Sequence, residues 1–198
     1  MSLLTRRPKG AFTLMELIIA LGLSTVLFMT LLSLVKSVTY AQRRESTMRK
    51  LSADSIYALE LMKGSLRSAS VVIRPAKGAL SETILGYINV NPADMTGKIL
   101  SGNPQAYFLY CYDPSAGALY KYSGGYPVPL SFTSFTCGNP EQSGQTRELL
   151  AGGLELAVVK YLFSRTVAAP NVINIGYSLS YAGKTASGET AVSLQQGI

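Results

Sequence analysis

Residues 12–35, FTLMELIIALGLSTVLFMTLLSLV, form an apolar run of 24 residues interrupted by one charge, Glu16. As a helix rising about 1.5 Å per residue the run is roughly 36 Å long, enough to cross a hydrocarbon core of about 30 Å. An ionised carboxylate inside such a helix is expensive unless it lies near the interface or finds a partner, so Glu16 is a functional candidate by default. The leader before it carries Arg6, Arg7 and Lys9 and no acid, which assigns it to the cytoplasmic side. The rest of the chain is therefore expected outside.

A secretory signal peptide is a poor match. Its apolar core is normally about 7–15 residues and ends at a small-residue cleavage site. This run is longer and continues without a break: no Pro or cluster of turn residues interrupts residues 36–70. There Met48, Leu51, Leu59, Met62 and Leu66 recur near the helical period, with Arg43, Arg44, Glu45, Arg49, Lys50, Asp54, Glu60 and Lys63 between them. The pattern predicts one helix from Phe12 to about Ser68, apolar all round at first and amphipathic later. Arg74-Pro75 closes the segment.

Beyond it, Pro75, Gly78, Pro92, Gly97, Gly102 and Pro104 punctuate short stretches suited to strands. Strands are expected at Thr83–Val90, Ala106–Tyr112, Leu119–Ser123, Leu130–Phe135, Leu154–Leu162, Val172–Tyr181 and Ala191–Leu194. In the sixth, Ile173, Ile175, Tyr177, Leu179 and Tyr181 share one face and Asn174, Gly176, Ser178 and Ser180 the other, the mark of a half-buried antiparallel strand. Asp113-Pro114-Ser115-Ala116-Gly117 reads as a turn between two strands. The expected fold is α+β: the amphipathic half of the helix packed on an antiparallel sheet around one small core. The divisions are 1–11 leader, 12–35 membrane half of the helix, 36–74 amphipathic half and connection, and 75–198 β-rich head.

Cys111 and Cys137 are the only two cysteines. Outside the cytoplasm such a pair reads as a disulfide, closing a loop worth about 3.5 kcal/mol in the chain-entropy picture; the alternative is two buried thiols. Two sulfurs with no His in the chain leave too few ligands for structural zinc, so no metal and no cofactor are expected. The lack of His also removes the commonest general base, and no phosphate-cradling glycine loop is present, which argues against an enzyme. The formal charge is +7, of which the leader supplies three, leaving +4 on residues 12–198. That is weak support for nucleic-acid binding. Tyr107, Tyr110, Tyr112, Tyr120, Tyr122 and Tyr126 around Lys121 suit a stacking platform, but tyrosine is also a favoured strand residue, and the structural role is preferred.

The segment Lys9-Gly10-Ala11-Phe12-Thr13-Leu14-Met15-Glu16-Leu17 resembles the start of type IV prepilins: basic leader, small residue, Phe-Thr-Leu-x-Glu, long apolar helix. The resemblance implies cleavage by a prepilin peptidase, methylation of the new terminal amine, and a Glu at the fifth mature position. That count places the cut between Ala11 and Phe12, making Phe12 the methylated residue; a cut between Gly10 and Ala11 is the alternative. It also implies that Glu16 pairs with the terminal ammonium of a neighbouring subunit, since opposite charges attract strongly in a medium of low dielectric and either alone is penalised.

The rest is similar to W-type minor pilins and J-type pseudopilins of type II secretion. The matching segments are Ser33-Leu34-Val35-Lys36-Ser37-Val38-Thr39-Tyr40, Phe108-Leu109-Tyr110 with Ala118-Leu119-Tyr120-Lys121, and Leu150-Ala151-Gly152-Gly153-Leu154-Glu155-Leu156. Major pilins commonly carry a Pro in the membrane half, and this chain has none between Pro8 and Pro75. The implied protein is a minor pilin initiating or capping a filament, with a secretion or DNA-uptake pseudopilin and a non-polymerising membrane-anchored module as alternatives. Its implied location is a bacterial inner membrane, single-pass, with the head outside. The implied partners are other pilins, the peptidase, membrane lipid and the assembly platform.

Overall fold

The structure is a computed structural model, and it describes residues 13–93, 95, 97–126, 137, 145–152 and 157–194. Among the described residues the helix α1 (Leu14–Ser68) is followed by nine strands: β1 (Val71–Arg74), β2 (Ala79–Ser81), β3 (Thr83–Ile88), β4 (Ala106–Asp113), β5 (Ala118–Gly125), β6 (Gln145–Gly152), β7 (Ala157–Arg165), β8 (Val172–Tyr181) and β9 (Lys184–Ser193). By contacts the chain divides into two units, 1–45 and 46–198.

The first unit, as far as it is described, is helical from Leu14 onward, and its residues are exposed up to Arg43. Apolar groups point outward on all sides, among them Leu14, Leu21, Phe28, Met29 and Leu34, each more than half exposed. No face of this segment is distinguished by burial, which fits a helix surrounded by apolar material and not one lying on a protein core.

In the second unit the sequence pattern becomes one-sided. Leu51, Ser55, Ala58, Leu59, Met62 and Leu66 are the buried residues of α1, spaced to keep to one side of the helix. They enter a core with Ile84, Phe108, Tyr110 and Leu119 from one sheet and Val159, Tyr161, Phe163, Ile175 and Leu179 from another. The first sheet runs β1-β3-β4-β5-β6 and the second β2-β7-β8-β9, with every pairing antiparallel. A 2.8 Å hydrogen bond between Ser65 Oγ and Tyr110 Oη fixes α1 against β4.

Several expectations change. The single sheet becomes two, and the single core becomes two clusters. Leu85, Tyr87, Val90, Tyr107, Leu109, Cys111 and Tyr122 form the second, on the other side of the first sheet. The reason is visible in β4, AYFLYCYD, whose near-continuous apolar run buries both faces. Strands β1, β2 and β6 were not anticipated, and β1 occupies the connection before Pro75. The seventh expected strand is the end of a ten-residue β9, set by a two-residue hairpin at Ala182-Gly183, both with positive φ (48° and 78°). The strand expected at Leu154–Leu162 is found over Ala157–Arg165, three residues further than expected at its far end, while residues 154–156 lie outside the described residues. The one expected at Leu130–Phe135 lies outside the described residues. The Asp113 turn forms as read: Asp113 Oδ1 accepts from Ser115 N at 2.9 Å and Ser115 Oγ at 2.6 Å. These bonds hold its carboxyl below the usual range.

Candidate functional site

Thr13 and Glu16 form a reciprocal cap at the start of α1. Glu16 N donates to Thr13 Oγ1 at 3.3 Å, Thr13 N donates to Glu16 Oε2 at 3.3 Å, and Thr13 Oγ1 lies 3.4 Å from the same oxygen. Leu17 N donates to Thr13 O at 3.2 Å, which makes Thr13 the N-cap and Glu16 the third helical residue. Thr-x-x-Glu is a capping box: each member satisfies a backbone N–H that the first turn would otherwise orphan. The carboxylate also lies where the helix dipole favours negative charge. Glu16 thus has a local task that needs no partner, and its side chain remains exposed.

Below the cap the helix satisfies its own polar groups. Ser24 Oγ donates to Leu21 O at 3.0 Å, Thr25 Oγ1 to Gly22 O at 2.8 Å, Thr30 Oγ1 to Leu27 O at 2.8 Å and Ser33 Oγ to Thr30 O at 2.8 Å. Each hydroxyl is paired within the helix, as an apolar surrounding requires. The helix is long and apolar enough to cross a membrane, and none of its most apolar window is buried within the protein.

Gly10, Ala11 and Phe12, the residues of the expected cut, lie outside the described residues. Cys111 and Cys137 are joined as a disulfide with a Cα–Cα distance of 5.8 Å. Among the described residues no three His, Cys, Asp or Glu side chains gather as a metal site would require. The tyrosines take the structural role: Tyr107, Tyr110, Tyr112 and Tyr122 are at most 5 % exposed, so their faces are closed to a nucleobase. Tyr120 is covered by the Arg147 guanidinium, 5.0 Å from the ring centre, and Lys121 pairs with Glu148 at 3.9 Å.

The bond between Thr13 and Glu16 is not among the expected features, although the Thr-x-x-Glu spacing before an apolar run announces it. Most of β9 is likewise unannounced, because KTASGETAVS lacks the bulky residues by which strands are recognised. No protein-family model, curated protein or solved structure matches this chain. A long apolar N-terminal helix followed by antiparallel sheets is an architecture compatible with a pilin-like fold.

Proposed function

We propose that the chain is a non-catalytic assembly subunit of the type IV pilin kind: a minor pilin held in the membrane by α1, cleaved after Ala11, and built into a filament or its initiating complex. The observation that carries the reading is the helix of the first unit. Its apolar residues from Leu14 to Val38 are exposed on every side, with a single carboxylate at its start. An isolated apolar surface of that size is unstable in water; lipid covers it before assembly and neighbouring helices cover it afterwards. The missing Pro favours a minor over a bulk subunit.

In this reading Glu16 serves twice, closing the first turn of its own helix and neutralising the terminal ammonium of a neighbour. The two tasks separate by substitution. Gln caps as Glu does but carries no charge. Glu16→Gln should insert normally and yet fail to enter the filament, as should Glu16→Ala. Wild-type incorporation of the Gln variant, measured by immunoblot of sheared filaments against the membrane pool, would reduce Glu16 to its capping role.

A further inference from the structure

The second sheet ends on an unusually open margin. Strand β9 pairs with β8 over all ten of its residues without a register shift. Leu194 N donates to Asn171 O, directly opposite it, at 2.7 Å. Carried along the regular ladder, that bond turns the backbone groups of the even-numbered residues of β9 toward β8. The odd-numbered ones, Thr185, Ser187, Glu189, Ala191 and Ser193, turn theirs outward, and all five residues are exposed. No described residue bonds this outer row. Of the usual guards of an edge, β9 has neither Pro nor bulge; its charges are Lys184 at one end and Glu189, and its other side chains are short.

The opposite margin of the same sheet is β2. The same alternation, followed through β8 and β7, turns the N–H and C=O of Leu80 outward, and its side chain is 69 % exposed. Leu80 stands in one cross-strand row with Ser164, Asn174 and Ala191, so its side chain shares a face with the odd-numbered residues of β9. The sheet has four antiparallel strands, hence β2 and β9 run in opposite directions.

We infer that β9 takes the β2 edge of a second copy of this chain, joining the two four-stranded sheets into one. Pairing β9 with β9 is the obvious competitor. Its two-fold axis stands normal to the sheet and reverses every direction that lies in the sheet. Pairing β9 with β2 needs no reversal, because an even number of antiparallel strands brings opposite strand directions together when copies stand side by side in the same orientation. Gly188 keeps the middle of β9 slim; its Tyr177 neighbour fills the space where a Cβ would stand, at 2.6 Å from the phenol oxygen. The ladder is short, as β2 has three residues. It therefore acts between copies already concentrated and aligned by their membrane helices, where a weak contact suffices.

This inference rests on the assembly reading above, and one experiment separates the two. Full-length chains carrying Leu80→Cys are co-expressed in membranes with chains carrying a cysteine at 186, 187, 188, 189, 190 or 191. A second pair carries cysteines within residues 20–34, to report helix proximity. The expected result is oxidative cross-linking of Leu80→Cys to Ser187→Cys, Glu189→Cys or Ala191→Cys and none at the even positions, since side chains alternate across a sheet. Helix cross-links with no alternating Leu80 signal would overturn the strand pairing and leave the assembly reading standing. Cross-linking of a β9 variant to itself would overturn it in favour of the two-fold arrangement, and absence of cross-links at both places would overturn both.

Discussion

Two buried tyrosines show how one hydroxyl decides the sign of a substitution. Tyr110 and Tyr161 are fully buried, and burial pushes both phenols up to about 12. Tyr110 bonds Ser65; Tyr161 feels Ser55 Oγ, which lowers its pKa somewhat, yet neither of those two oxygens reaches hydrogen-bond geometry. Tyr110→Phe should therefore cost about 1 kcal/mol, while Tyr161→Phe should be neutral or stabilising, as read from urea midpoints of a detergent-solubilised sample. Both phenols hold their protons more tightly folded than unfolded, where tyrosine titrates near 10. Their contribution is complete below about pH 10 and is lost as pH rises through about 12, so tyrosinate absorbance should lag and then appear together with unfolding. Gly152 adopts φ +94°, and an added Cβ would meet Gly117 O at 2.2 Å. Gly152→Ala should lower stability by more than about 1 kcal/mol, and an unchanged midpoint would refute that close approach.

At the scale of elements, the parts legible in sequence were those where one physical demand dominates. The end of α1 near Ser68 follows from the burial period of Leu51, Leu59, Met62 and Leu66, and β8 from its strict alternation. The strands that escaped notice depend on partners far away in sequence. Val71–Arg74 is too short to signal itself and exists because Val71 and Val72 find Tyr87 and Gly86. In β6, Gln145–Gly152, exposed and buried positions do not alternate regularly, and a bulge opposite Leu119 and Tyr120 shifts its register. At the candidate site the charge of Glu16 was legible and its cap was overlooked, because composition draws the eye to the carboxylate and away from the threonine three residues before it. The disulfide was legible from cysteine count and expected compartment. It joins β4 to residue 137 across 26 positions, so reduction should change mobility on a non-reducing gel and cost about 3.5 kcal/mol. Two thiols titratable under denaturing, non-reducing conditions would refute it.

For the whole molecule, the division of labour follows from solvent. Residues 46–198 bury an aromatic-rich core between α1 and two sheets and need no partner to do so. The apolar helix of the first unit, as far as it is described, leaves its apolar side chains exposed and is long and apolar enough to cross a membrane. In the proposed assembly, a processed amine and the exposed carboxylate of Glu16 would give the packing of neighbouring helices its register. The measurement that tests this most directly is the intact mass, with N-terminal sequence, of the protein recovered from its native membrane. A chain beginning at Phe12 with a methylated amine is expected; recovery of a chain that still begins at Met1 would contradict the proposed assembly role.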